Sequence, residues 1–219
     1  MTALVELRKA TAGYGGNAVL HDIDLTINAG ECVVVMGRSG AGKSTLLNLL
    51  YERLVDRVAL IPQAAALVRT LSVFHNVYMG RLDRFSTWHN LRTLVWPARR
   101  DIAEIERTLE LVGLADKLFD RAGTLSGGQQ QRTSVARALY NDRSIVIGDE
   151  PVSALDRVQG ADILRQLRSR YDTAILAMHD ITLALAHADR VVVIEDGRIV
   201  LDAPAGTIAA SDLVPYYGG

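Results

Sequence analysis

The chain of 219 residues has little of several features that mark specialised classes of protein. Its single cysteine, Cys32, cannot form an internal disulfide, and its place at the start of an apolar run predicts a small buried residue. Aromatic residues make up 5% of the chain and the net charge is −1, which disfavours nucleic-acid binding. No apolar run approaches the roughly 20 residues that span a bilayer, and residues 1–9 do not resemble a secretory leader. We expect a cytoplasmic chain whose membrane part, where one is needed, belongs to a partner.

The hydrophobic share of 49% is large enough for a substantial core. Residues 4–9 and 22–27 alternate apolar and polar side chains around a glycine-rich turn, which predicts an antiparallel pair. Further strands are expected at 32–36, 57–61, 144–147, 173–177, 190–194 and 198–201, and helices at 44–54, 129–140, 158–170 and 181–188. Strands that alternate with helices predict an α/β fold with a mainly parallel sheet.

The stretch from about 64 to 122 differs from the rest because it reads as largely helical. Ile102, Ile105, Leu109 and Val112 follow a helical spacing, and Gly113 is placed to end that helix. We therefore expect a single domain in which residues 1–63 and 123–219 form the core and a β lobe, with a helical lobe inserted between them.

A glycine-rich loop stands between the predicted strand at 32–36 and the predicted helix at 44–54. Glycines allow backbone N–H groups to turn inward around phosphate oxygens, and the start of the helix adds a positive dipole. Lys43 can reach the β- and γ-phosphates, and the Ser44 hydroxyl can bind Mg²⁺. The predicted nucleotide-binding residues of this phosphate loop are Gly37, Arg38, Ser39, Gly40, Ala41, Gly42, Lys43, Ser44 and Thr45.

Two acidic residues, Asp149 and Glu150, follow the apolar strand at 144–147. Ligands of a parallel sheet gather at the carboxyl ends of its strands, where the phosphate loop also lies. Asp149 is therefore expected to help hold Mg²⁺, and Glu150 to polarise the attacking water. Gly148 stands where a larger apolar residue would be ordinary, which suggests that another backbone or helix approaches it.

The octet Leu125-Ser126-Gly127-Gly128-Gln129-Gln130-Gln131-Arg132 starts a helix with exposed glycines, a second anion-binding helix terminus. It resembles the signature motif of ABC (ATP-binding cassette) ATPases, and the resemblance extends over nearly the whole chain. This resemblance implies an ATPase in which Ser126, Gly127, Gly128 and Gln129 bind the ATP held by a second chain.

Further motifs of that family follow in order, and each carries an implied role. Tyr14 resembles the aromatic residue that stacks on adenine, Gln63 the glutamine that senses Mg²⁺ and attacking water, and His179 the switch histidine at the γ-phosphate. Lys43, Gln63, Glu150 and His179 form the implied catalytic set, with Ser44, Gln63 and Asp149 as the Mg²⁺ set. The implied dimer interface comprises Ser153, Ala154, Leu155 and Asp156.

One interval departs from the family pattern, because Gln63 lies only 20 positions after Lys43. In the family this interval usually contains one or two antiparallel strands. We therefore expect a trimmed antiparallel lobe, with weaker nucleotide affinity or a cost in stability as its consequence.

The helical lobe resembles that of phosphonate-importer ATPases in residues 71–82 and 86–88. Between Arg81 and Arg100 lie five arginines, one acid and two tryptophans, Trp88 and Trp96, which favours an anchor for a membrane subunit over a solvated face with core tryptophans. The implied partners are a second cassette, most simply an identical one, a membrane permease and an extracellular or periplasmic substrate-binding protein. The chain would then lie on the cytoplasmic side of the plasma membrane. The alternatives are the ATPase of a polar amino acid importer or lipoprotein-release system, or a soluble ABC ATPase.

Overall fold

The computed structural model describes residues 2–217, and its centre is a sheet of six strands in the order β4-β5-β6-β3-β7-β8. The strands β3 to β7 pair in parallel, and β8 joins β7 as an antiparallel edge. The six strands are β3 (Cys32–Met36), β4 (Val58–Ile61), β5 (Ile145–Asp149), β6 (Thr173–Ala177), β7 (Arg190–Glu195) and β8 (Arg198–Pro204). The expected α/β fold is confirmed, and the turn at Asp196 and Gly197 joins the last two strands in left-handed conformations, with φ of 46° and 74°.

A separate two-stranded antiparallel sheet covers one face of the central sheet. Its strands, β1 (Ala3–Tyr14) and β2 (Asn17–Asn28), are each 12 residues long, so they run well beyond the alternating segments that the sequence marked. Register shifts at several positions let the two long strands curve while Leu7, Leu20 and Ile27 stay buried. The trimmed antiparallel lobe is therefore this one hairpin, within the described residues.

The part of the chain that the structure describes contains eight α-helices around the sheet, and their order follows the predicted alternation. They are α1 (Lys43–Leu54), α2 (Val73–Tyr78), α3 (Thr87–Val95), α4 (Arg99–Leu111), α5 (Gly127–Tyr140), α6 (Arg157–Arg170), α7 (Ile181–His187) and α8 (Ala210–Leu213). After α1 a short 3-10 turn at Val55–Arg57 leads directly into β4. Throughout residues 2–217, none of the helices combines the length and the apolarity that crossing a lipid bilayer requires.

Two apolar clusters hold the layers together, one on each face of the sheet. On one face, α1 packs with the β1–β2 hairpin around Leu46 and Leu50. On the other, α5 packs on α2 and α4 and against β4, so Phe74 and Ile105 share one buried cluster with residues of the sheet. Cys32 is 2% exposed and carries a free thiol, as expected for a small core residue.

Candidate active site

The phosphate loop connects β3 to α1, and its shape depends on glycine. A Cβ atom on Gly37 would lie 2.2 Å from the carbonyl oxygen of Ile194, so no larger residue fits there. Gly40 and Gly42 have φ of 82° and 110°, a region that L-residues with a side chain rarely adopt. The loop therefore brings the backbone to the amino terminus of a 12-residue helix, where the free N–H groups face an incoming anion.

Lys43 is buried although it carries a charge. Its side chain is folded back on its own loop, where Nζ donates to the carbonyl oxygens of Gly37 at 2.7 Å and Arg38 at 3.0 Å. Burial lowers the pKa of Lys43, and the nearby carboxylates of Glu150 and Asp149 oppose that shift. The Lys43 ammonium would bind a phosphate oxygen more strongly than these neutral carbonyl oxygens, because charged acceptors make stronger hydrogen bonds.

The recess beside the loop brings together residues that are far apart in sequence. Gln63, two residues after β4, and Glu150, directly after β5, reach the same recess as the phosphate loop. Its lining is Val19, Ser39, Gly40, Gly42, Lys43, Ser44, Thr45, Gln63 and Glu150.

Asp149 has the property expected of a residue that holds a cation. Its Oδ1 atom is buried, and no hydrogen-bond partner reaches it within the part of the chain that the structure describes. A carboxylate oxygen left without a donor is costly unless something else satisfies it. Ser44 and Gln63 line the recess together with Glu150, the residue that follows Asp149. A hydroxyl, an amide oxygen and a carboxylate are the oxygen ligands that Mg²⁺ prefers, so these residue types fit the ion.

Glu150 and His179 form a direct contact. They follow the neighbouring strands β5 and β6, and the His179 Nε2 to Glu150 Oε1 distance is 2.5 Å. Glu150 has a φ of +54°, a strained conformation for a residue other than glycine, and such strain is concentrated at functional sites. A histidine that shares a proton with the carboxylate can orient it toward a water molecule.

The strained backbone of Glu150 is held by a residue of the signature octet to which the sequence assigned no role of its own. From α5, the Gln131 side chain donates to the Glu150 carbonyl oxygen at 2.5 Å, while its own oxygen accepts from Ala154 N at 2.8 Å. Gln131 is only 8% exposed. The sequence could not predict this contact, because Gln131 is one of three consecutive glutamines and only the fold shows which of them faces inward.

The signature segment makes a standard helix start. Ser126 caps α5 by accepting from Gln129 N at 3.3 Å, and the Gln129 side chain accepts from Ser126 N at 2.9 Å. A Cβ atom on Gly127 would meet nothing within 4 Å, whereas one on Gly128 would lie 3.0 Å from the Ala154 carbonyl oxygen. Gly127 is thus open to an outside ligand, whereas the small size of Gly128 is needed within the chain.

Two local expectations need correction or addition. Gly148 is crowded by the side chains of Leu176 and Pro151, and not by a backbone or a helix, since a Cβ atom there would lie 3.0 Å from Leu176 Cδ2. Asp156, expected at a dimer interface, also caps α6 by accepting from Gln159 N at 2.9 Å.

Tyr14 stands at the end of β1 and is 60% exposed. Its hydroxyl accepts from Asn48 Nδ2 at 2.9 Å, which fixes the ring next to α1. The ring is available for stacking, and its contact with adenine stays a prediction.

The tryptophan segment, residues 81–100, exposes both of its tryptophans. Trp88 and Trp96 are 77% and 78% exposed, so they are not core residues. Arg81 instead faces inward, because it pairs with Glu104 and Asp142. Fewer than the five arginines are therefore free to serve as anchors.

The comparisons with known proteins agree with this geometry. The family model described as ABC transporter matches residues 20–153. The phosphonates import ATP-binding protein PhnC 1 of Natronomonas pharaonis is 39% identical over 226 residues, which cover 94% of this chain and 96% of that protein. PhnC of Anaeromyxobacter dehalogenans is 36% identical over 96% of this chain, which spans 47% of that longer relative. A bacterial ABC transporter cassette solved as a dimer superposes with a TM-score of 0.80 at 25% identity, covering 91% of this chain and 98% of that one.

The chain therefore belongs to the ABC transporter family. Its class is the ATP-binding and ATP-hydrolysing cassette, and the expected resemblance to phosphonate-importer ATPases is confirmed by the relatives.

Proposed function

We propose that this chain is the ATP-hydrolysing subunit of an importer for a small, phosphonate-like solute. The observation that carries the catalytic part is the pairing of Glu150 with His179 at the sheet edge that also holds Lys43. Two copies would close around ATP, so that the phosphate loop of one copy and Ser126, Gly127 and Gly128 of the other enclose the same nucleotide. The open space above Gly127 supports this arrangement.

In the closed site, the phosphate loop and Lys43 would bind the phosphates, and Glu150 would accept a proton from the attacking water. His179 would hold the Glu150 carboxylate and meet the γ-phosphate. Mg²⁺ held by Ser44, Asp149 and Gln63 would neutralise charge on the phosphates. Closure excludes bulk water, and hydrolysis followed by product release reopens the dimer. ATP binding can drive closure of the dimer because ATP binds the closed form more tightly than the open form.

The permease would dock on the inserted helical lobe, about residues 64–122. That lobe carries an apolar groove as well as the exposed tryptophans, and exposed apolar side chains of this size favour a protein partner over solvent. The groove is lined by Leu71, His75, Tyr78, Met79, Leu82, Thr87, Asn90, Leu91 and Leu94. The chain would thereby be held peripherally at the cytoplasmic side of the plasma membrane.

The substrate class comes from the relatives, which include phosphonates import ATP-binding proteins at 36% and 39% identity. The test is the ATPase rate of this chain assembled with the permease and the substrate-binding protein encoded beside it. We expect a phosphonate to stimulate hydrolysis and a polar amino acid to have no effect. Stimulation by an amino acid, or by a lipoprotein, would replace the substrate assignment. The absence of permease genes beside this one would favour a soluble ABC ATPase.

A further inference from the structure

Tyr217 lies far from every motif in sequence, yet its hydroxyl contacts the active-site edge of the sheet. It accepts a hydrogen bond from Gly37 N at 3.0 Å and donates one to the Met178 carbonyl oxygen at 3.2 Å. Gly37 begins the phosphate loop, and Met178 directly precedes His179. One phenol thus joins the two loops that flank the predicted site.

The position of this hydroxyl follows from the ladder between β3 and β6. The strands pair in parallel up to Val35 and Ala177, and Met178 N still donates to the Val35 carbonyl oxygen at 3.1 Å. In a parallel ladder the next hydrogen bond would run from Gly37 N to the Met178 carbonyl oxygen. The Tyr217 hydroxyl occupies that place and forms a hydrogen bond with each of the two groups. The ends of β3 and β6 are therefore held apart by one intervening oxygen atom.

The Tyr217 ring also contacts the surroundings of the catalytic side chains. It meets the His179 imidazole edge to face, with centroids 6.3 Å apart and planes at 83°, an arrangement favoured between aromatic rings. The segment that carries it is anchored, because Leu213 in α8 is fully buried and α8 packs on α7, the helix that follows His179. Burial raises the pKa of Tyr217, the hydrogen bond from Gly37 opposes that shift and the charge of Glu150 adds to it, so the hydroxyl keeps its proton at neutral pH.

We propose that Tyr217 is a positioning residue for ATP hydrolysis, whose hydroxyl sets the separation between the phosphate loop and the loop of His179. The proposal rests on the proposed function, because it assumes that His179 and Glu150 act together on bound ATP. Without the hydroxyl, the Gly37 N–H loses its acceptor and the separation between the two loops is no longer fixed. His179 is then displaced relative to Glu150, whereas most contacts of the phosphate loop to ATP stay in place.

The test is Tyr217→Phe in the full chain, which removes the hydroxyl and keeps the ring. We expect kcat for ATP hydrolysis to fall about tenfold while KM changes by less than about twofold, the pattern of an interaction used in the transition state. Exchange of the Gly37 amide proton, followed by NMR, should become faster because that proton loses its acceptor.

Tyr171→Phe is the matched control, because it also removes a buried hydroxyl that donates to a backbone carbonyl oxygen, that of Ala138, away from the site. It should lower Tm without changing kcat or exchange at Gly37. The role of Tyr217 is overturned if Tyr217→Phe keeps kcat, or if Gly37 exchange stays unchanged. ATP hydrolysis by the wild type and by Glu150→Gln is measured alongside. An inactive wild type, or an active Glu150→Gln protein, would contradict the proposed function and not the role of Tyr217.

Discussion

The carboxyl edge of the sheet and the tryptophan segment differ in which kind of side chain they bury and which they expose. At the sheet edge, Lys43, Asp149 and Glu150 are charged yet largely turned inward, and short strands and tight backbone turns hold them in place. In the tryptophan segment, apolar Trp88 and Trp96 lie exposed. Buried charge and exposed apolar surface are both unfavourable without a ligand or a partner. The two regions therefore indicate two different occupants, a nucleotide at the first and a protein at the second.

The largest difference between the two regions is expected from Lys43→Ala at the sheet edge. Removal of the Lys43 side chain ends the cost of burying an ammonium but also removes the hydrogen bonds to the carbonyl oxygens of Gly37 and Arg38, so the two effects oppose each other and folding stability should change little. ATP hydrolysis should fall by about a hundredfold or more, since a charge directed at the phosphates is lost. Calorimetric ATP titration and steady-state kinetics measure ATP binding and hydrolysis, and thermal unfolding measures stability.

Lys117→Ala is the matched control, because Lys117 pairs with Asp116 and Asp120 on the surface. It should change neither ATP binding nor hydrolysis. If the Lys43→Ala protein is as active as the wild type, the sheet edge is not the nucleotide-binding site.

A smaller effect is expected from Gly127→Ala at the start of α5. The added methyl group meets nothing within 4 Å in this chain, so thermal unfolding should be unchanged. ATP hydrolysis should nevertheless fall about tenfold, because in the proposed dimer the methyl group obstructs the nucleotide held by the partner.

Gly206→Ala serves as control, since Gly206 also has open space and lies in a 3-10 turn away from the site. If Gly127→Ala keeps full activity, the signature segment does not approach a nucleotide.

The smallest effect on hydrolysis is expected in the second region. The double change Trp88→Ala with Trp96→Ala should leave ATPase activity of the isolated chain unchanged, because both rings are exposed and neither lines the recess. Binding to the permease should weaken by about 2 kcal/mol or more, the usual loss at a tryptophan anchor. Co-purification and titration against detergent-solubilised permease measure this, with Val200→Ala as the surface control. Unchanged permease binding would show that the exposed rings serve another purpose.

The sequence was most informative at the sheet edge, for physical reasons. Glycines at 37, 40 and 42 are required by backbone conformation and by the close approach of Ile194, so the shape of the loop can be predicted from the motif. The end of β5 was likewise predictable, because an apolar strand that stops at two acids has few other arrangements.

Other contacts could not be read from the chain. Gln131 reaches the Glu150 carbonyl oxygen from 19 positions away, and Tyr217 reaches Gly37 from 180 positions away. Such contacts depend on how helices and strands pack, and no local spacing encodes them. The expectation that a backbone or a helix approaches Gly148 is wrong for the same reason, since only the packed fold shows that the side chains of Leu176 and Pro151 fill the space.

The central claim is that this chain supplies half of a shared ATP site in which Glu150 accepts the proton. The most direct measurement is the mass in solution of the Glu150→Gln protein with ATP and Mg²⁺, by light scattering. We expect hydrolysis to fall by about 10²–10⁴-fold, as for loss of a general base, while ATP stays bound and a dimer accumulates. A Glu150→Gln protein that hydrolyses ATP at the normal rate, or that binds ATP and remains monomeric, would contradict the account.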